Sequence, residues 1–164
     1  MIRRDHRKID SLQWAKEKLG PSPFGSPRGI TASQKAGLAY QRKVGKALGE
    51  IFEYCHEGVW FEFQDKNGFG LCQPDVLIET DGVVWLVEIK LSWCKEAATQ
   101  LKELYIPVVE KALKVPARGM IICKTLRRTT PKHLVVDSLE KALTFQSMPI
   151  GLPPIVHWLG KGPL

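Results

Sequence analysis

Three polar residues interrupt runs that are otherwise apolar: Asp75 in Gln73-Pro74-Asp75, and Glu88 and Lys90 in Val83-Val84-Trp85-Leu86-Val87-Glu88-Ile89-Lys90. In a β-strand residues i and i+2 share a face, so Glu88 and Lys90 continue the row of Val84 and Leu86, expected to be core. A carboxylate and an ammonium in such a row are costly unless they are paired, hold a metal or meet a ligand. Asp75 belongs to the neighbouring strand, across the turn Glu79-Thr80-Asp81-Gly82, so its carboxylate can converge on that of Glu88. Two carboxylates, completed by water and phosphate oxygens, suit Mg²⁺ or Mn²⁺. Lys90 reaches the same volume. There an ammonium can orient or help deprotonate an attacking water, or stabilise charge on a phosphate in flight. Together these groups make a site for cleaving a phosphodiester. The alternative is a Glu–Lys or Asp–Lys ion pair on an exposed edge strand.

Several elements must position these residues. Residues 1–8 (MIRRDHRK) form a basic start, read as a solvated terminus or, alternatively, as a DNA-contacting arm. Ser11–Leu19 reads as a short helix capped by Asp10 or Ser11, stopped by Gly20-Pro21 and held to the body by Trp14. A Pro/Gly/Ser loop follows to residue 30. The next helix is expected from Thr31 or Ser33 to about Tyr54, with Leu38, Gln41, Gly45, Leu48 and Phe52 on its apolar stripe. Lys35, Arg42 and Lys46 share a basic flank, and Glu50 faces away. Strands are expected at Val59–Gln64, Leu71–Glu79 and Val83–Leu91, the last apolar on both faces and therefore central. Lys95–Lys114 is helical in period, kinked or divided at Pro107. Gly119–Lys124 reads as a buried fourth strand, parallel to a neighbour because a helical crossover leads into it. Ser138–Phe145 reads as a short helix, and the tail from Met148 as irregular.

The whole-chain totals narrow the class. The 164 residues suffice for one domain with a proper core, and a formal charge of +7 favours an anionic partner. Cys55, Cys72, Cys94 and Cys123 are widely spaced with no CxxC pair, which argues against zinc or iron–sulfur sites and for buried reduced thiols. No signal peptide or long apolar segment is visible, so an intracellular, cytoplasmic protein without a membrane partner is expected.

Pro74-Asp75 followed by Glu88-Ile89-Lys90, set between helix–strand units, resembles the PD-(D/E)XK nuclease superfamily, which includes type II restriction enzymes, Holliday-junction resolvases, RecB-like exonucleases and many phage nucleases. The resemblance spans roughly residues 33–126. It implies an α/β, restriction-endonuclease-like αβββαβ core with a central mixed four-stranded sheet flanked by helices. The chain then divides into an arm, short helix and loop (1–30), a nuclease domain (31–146) and a Pro/Gly-rich tail (147–164). Asp75 and Glu88 would ligate Mg²⁺ or Mn²⁺, and Lys90 would be the catalytic lysine. Members often add an acid from the first helix. In resolvase-like members it follows a glycine by four positions and precedes an arginine. Here Gly37-Leu38-Ala39-Tyr40-Gln41-Arg42 puts Gln41 in that place, an uncharged oxygen ligand that weakens or removes a second metal site. Glu50 and Glu53 are the alternatives.

RecB-like members carry a Gln and a Tyr four residues apart on the helix after the second carboxylate; Gln100 and Tyr105 are five apart. Trp93 reads as packing more than as base stacking. Candidate nucleic-acid contacts are Lys35, Arg42, Lys46, Ser92, Gln100, Arg127, Arg128 and Lys132, each of which also reads as an ordinary surface residue. The function implied is a metal-dependent DNA nuclease, endo- or exonucleolytic. It resembles phage or mobile-element enzymes of DNA processing, recombination or packaging, acting in host cytoplasm if phage-encoded. Its partners would be DNA and a homodimer mate or larger nucleoprotein assembly. The alternative is a nuclease-fold DNA-binding or assembly protein with weak or no catalysis, motivated by Gln41, the basic arm and the tail.

Overall fold

The structure, a computed structural model, describes residues 4–25, 29–131, 133–136, 138–140 and 154–158. Its centre is a hairpin. Asp81 and Gly82 both adopt positive φ (51° and 74°), which matches the twist of a two-residue turn. They fold β5 (Val76–Thr80) antiparallel onto β6 (Val83–Ser92), from Thr80↔Val83 to Val76↔Val87. A helical crossover then returns the chain into β7 (Ala117–Thr125), parallel to β6 from Val84↔Ala117 to Ser92↔Thr125. With β2 (Cys55–Glu57), β8 (Leu134–Val135) and β9 (Ile155–His157), these form a six-stranded mixed sheet ordered β2-β5-β6-β7-β9-β8. A second, antiparallel sheet joins β1 (Trp14–Lys18), β3 (Trp60–Asp65) and β4 (Gly68–Cys72) in the order β1-β3-β4.

Two apolar layers hold this together. Val84 and Leu86, on one face of β6, pack with Leu101, Leu104, Val108, Phe61 and Phe63. Trp85, Val87 and Ile89, on the other face, pack with Tyr40, Val44 and Leu48 of α1 (Ala32–Ile51). Phe61 and Phe63 are fully buried. Truncating either would cost about 3–5 kcal/mol, so the small sheet is part of the core. The first helix begins where the sequence indicates. Thr31 accepts from the Gln34 amide at 3.2 Å and Gln34 returns the bond at 2.8 Å, a complete capping box. Its buried stripe is Tyr40, Val44, Gly45 and Leu48, with Leu38 and Gln41 half-buried at its edge and Glu50 exposed.

The segment after β6 is helical throughout, and its division falls just ahead of Pro107, which lies in the first turn of its last part. It runs as α2 (Lys95–Gln100), a π-helical turn (Leu101–Tyr105) and α3 (Ile106–Leu113). Pro107 has no N–H for the carbonyl four residues back, and its ring crowds that carbonyl. The wider π turn relieves the crowding, and the carbonyl concerned, that of Glu103, accepts from the Ile9 amide at 3.0 Å instead.

Several expectations are corrected. Ser11–Leu19 is no helix: Ser11 takes positive φ (54°), and Trp14–Lys18 pairs with β3 from Trp14↔Gln64 to Lys18↔Trp60. Cross-strand hydrogen bonding overrides the helical signal, and Trp14 lies exposed against Phe69 with ring centroids 6.2 Å apart. Leu71–Glu79 is not one strand. Gln73-Pro74-Asp75 breaks it, so that β4 pairs with β3 in the small sheet and β5 with β6 in the large one. Consequently the large sheet has six strands instead of four, and the Val59–Gln64 segment belongs to the other sheet. The tail is not wholly irregular either, since β9 inserts in parallel between β7 and β8. Of the basic start, residues 4–8 are described, and they are fastened to the body. Asp5 donates to the Leu71 carbonyl at 2.8 Å, and Arg7 reaches the Gly68 carbonyl at 2.7 Å and Asp65 at 3.2 Å. Of Ser138–Phe145, residues 138–140 are described and enter a 3₁₀ turn; the rest lies outside the described residues, as does Lys132. Among the described residues no helix is long and apolar enough to cross a membrane.

Candidate functional site

The break between β4 and β5 generates the site. Pro74 cannot donate to a ladder, and the chain leaves the small sheet there to deliver Asp75 onto the start of the central hairpin. The Ile89 amide donates to Asp75 Oδ2 at 2.8 Å, and the Asp75 amide points at Glu88 Oε1 at 3.4 Å. Gln41 Nε2, from the edge of the α1 stripe, donates to Asp75 Oδ1 at 3.2 Å. Lys90 Nζ lies 3.7 Å from Glu88 Oε2. Asp75, Glu88, Lys90 and Gln41, from α1, β6 and the connection between β4 and β5, are thus one connected group. Glu88 is only 2% exposed, whereas the Lys90 side chain is about a third open.

Electrostatics at this group are strained in one direction. Burial raises the carboxyl pKa of Asp75; the Ile89 amide, Lys90 and Arg4 pull against it, and Glu57 adds to it. Burial followed by the Asp75 charge raises that of Glu88, against Lys90, the Asp75 amide and Arg4. Two carboxylates so close in a low-dielectric interior cannot both ionise cheaply. Tyr105 feels the same field, its hydroxyl pushed up by burial and then by Glu88.

The donor set fits a hard divalent cation. Asp75 and Glu88 supply two carboxylates and Gln41 an amide oxygen, and Lys90 and Arg4 neutralise the pair only in part. Among the described residues no three His, Cys, Asp or Glu side chains gather as a metal cluster. The first-helix position contributes no acid, and Glu50 and Glu53 are exposed. Glu57 on β2, which no local pattern marks, adds to the Asp75 shift; its register partner is Val76, next to Asp75. Its carboxylate lies over Gly45, where a β-carbon would collide with it.

A groove of about 280 Å³ opens beside Lys90 and Gln41, between the first half of α1 and the end of β6. Because β6 and β7 are parallel, Ser92 sits level with Thr125, and the exposed Arg127 and Arg128 emerge from that end of the sheet. Lys35, Arg42 and Lys46 are exposed along α1. Trp93 is buried in the core and is packing. Gln100 and Tyr105, five residues apart, meet: Gln100 Nε2 donates to the Tyr105 hydroxyl at 2.8 Å. On a regular α-helix five residues advance about 140° beyond a full turn and would not face each other. The π turn absorbs the extra residue.

Two further neighbours were invisible in the sequence. Gln73 is buried, donates to the Gly58 carbonyl at 2.8 Å and accepts at Oε1 from Arg4 at 2.8 Å. Arg4 lies 69 positions away in the chain, so no local pattern could have linked them. No protein-family model, curated protein or solved structure matches the chain.

Proposed function

We propose that this protein is a metal-dependent deoxyribonuclease of the PD-(D/E)XK type. The observation that carries the reading is the convergence of Asp75, Glu88, Lys90 and Gln41 into one connected, partly buried group. An element order of helix, strands with the Asp75/Glu88 hairpin, helix and parallel strand supports the αβββαβ assignment, with β3 and β4 displaced into their own sheet.

Asp75 and Glu88 would hold Mg²⁺ or Mn²⁺, with Gln41 as an uncharged third donor. When bound, the ion polarises a phosphoryl oxygen and acidifies a water. Lys90, partly open and beside Glu88, orients the attacking water and stabilises the charge that develops on the phosphate. The Ile89 amide and Gln41 fix the Asp75 carboxylate so that little reorganisation is needed as charge moves. Arg127, Arg128, Ser92, Lys35, Arg42 and Lys46 are placed to meet backbone phosphates around the groove.

A second reading has one specific observation in its favour. Every oxygen of the two carboxylates already has a protein partner, as expected of a self-satisfied structural cluster in a DNA-binding or assembly protein. Cleavage decides between them. Purified protein is incubated with linear, circular, single-stranded and branched DNA in Mg²⁺, Mn²⁺ or EDTA. We expect metal-dependent cleavage, reduced at least about 100-fold in Asp75→Ala and Lys90→Ala. Absence of cleavage on every substrate, or variants that cut like wild type, would refute the catalytic reading.

A further inference from the structure

Residues 4–9 of the N-terminal segment are fastened along the rim of the site. Asp5 bonds the edge of β4, Arg7 pairs with the buried Asp65, and the Ile9 amide caps the carbonyl freed by Pro107. His6 Nδ1 lies 2.8 Å from Gln100 Nε2, on the residue that also holds Tyr105. These anchors leave Arg4 little choice of position.

Arg4 itself is exposed, yet its guanidinium is doubly located. Nη2 donates to Gln73 Oε1 at 2.8 Å, and the group lies over the Phe24 ring, 5.0 Å from its centroid. Gln73 is a prepared acceptor: its own amide nitrogen is committed to the Gly58 carbonyl, which leaves Oε1 turned to Arg4 and to Ser22 Oγ at 3.2 Å. Two residues further on is Asp75. The Arg4 charge is felt by Asp75, Glu88 and Tyr105 alike, but among the described residues it forms no ion pair with any carboxylate. A guanidinium has five donors in a planar fork matched to phosphate oxygens. Here one donor fixes the group, and among the described residues the others have no hydrogen-bond partner.

We propose that Arg4 is a substrate-phosphate ligand of this site, a second cation beside Lys90, delivered from the N-terminus by the strap of residues 4–9. The inference rests on the nuclease reading for its catalytic consequence, but not for its binding consequence. Both are measured on the full-length chain: cleavage of labelled DNA in Mg²⁺, and binding of the same DNA in EDTA at several salt concentrations. Arg4→Ala is expected to lower kcat/KM about 100-fold and to reduce the slope of log affinity against log salt by about 1. Arg4→Lys keeps the charge and the slope but recovers the rate only in part, because the fork is lost. Lys8→Ala, an exposed charge on the same strap, keeps the wild-type rate. Should Arg4→Ala not fold, Arg4→Gln carries the test. A wild-type salt slope in Arg4→Ala overturns the proposal whatever its rate, since Arg4 then only tunes the carboxylates. Equal loss of rate in Lys8→Ala overturns it too. If wild type cleaves nothing, the nuclease reading falls, and the salt slope alone decides Arg4.

Discussion

Glu88→Gln isolates the energy stored in the carboxylate pair. Glu88 is 2% exposed, and its pKa is raised from 4.5 to about 8, first by burial and then by Asp75. The folded protein therefore binds this proton more tightly than the unfolded chain does. Stability from it is fully present below about pH 4.5 and is lost as pH rises through about 8. At about 1.4 kcal/mol per pH unit the full displacement corresponds to about 5 kcal/mol. Asp75 and Lys90 share that energy, so removing the one charge is expected to recover on the order of 2–3 kcal/mol at pH 9. For a chain of this size each kcal/mol moves Tm by about 2–4 °C. Thermal unfolding in EDTA from pH 5 to pH 9 should thus show wild type falling about 5–10 °C further than Glu88→Gln. Taking the difference between the two curves cancels the histidines and cysteines common to both. On the proposed reading, Mn²⁺ at pH 8 restores wild type and leaves the variant unmoved. Parallel curves for the two proteins in EDTA would refute the claim that Glu88 is held protonated by its surroundings.

Two further predictions test the neighbours of that pair. Gln41→Glu brings a third carboxylate against Asp75, 3.2 Å from Gln41 in wild type. It should lower Tm in EDTA by the equivalent of about 1 kcal/mol and tighten Mn²⁺ binding about tenfold by calorimetry, whereas Glu50→Ala changes neither. Gly70→Ala places a methyl against the Phe63 ring and the Asp5 carboxylate. It should cost about 1–3 kcal/mol and loosen the strap, seen as faster tryptic cleavage after Arg4, Arg7 or Lys8 in limited proteolysis.

What was legible in the sequence is what local rules govern. The Asp81-Gly82 turn, a helix start at Thr31 or Ser33, and the core-facing row of Val84 and Leu86 each follow from residues within a few positions, and the parallel strand β7 follows from the helical crossover before it. Gln41 was legible because helical periodicity puts it on the edge of the buried stripe. What was not legible depends on pairing across long separations. Trp14–Lys18 is a strand only because β3 offers it an edge. Ile155–His157 is three residues in a Pro-rich tail, made a strand by β7 and β8 on either side. The change of sheet at Gln73-Pro74-Asp75 was hidden because both halves have strand composition; Pro74 was the one signal of it. The five-residue spacing of Gln100 and Tyr105 separates them on a regular helix, and only the π turn makes them neighbours.

The charges around the site constrain how it can work. Asp75 and Glu88 are countered by Lys90 and Arg4, both close enough to lower their pKa values. In a site with a first-helix acid, the anionic donors would outnumber the cations, and a divalent ion would be drawn in ahead of substrate. On the proposed reading Gln41 stands in that place, and Lys90 and Arg4 counter the two carboxylates only in part, since burial still raises both pKa values. A hard ion still needs oxygen donors beyond the two carboxylates and an amide, and a phosphodiester brings them together with the missing negative charge. On the proposed reading, ion and phosphate therefore stabilise one another in a site that holds neither firmly alone. Arg4 and Lys90 then face the phosphate, and the carboxylates face the ion. On that reading, an amide at Gln41 where an acid is expected and the capture of Arg4 by Gln73 act together, favouring the ion–phosphate pair over the free ion.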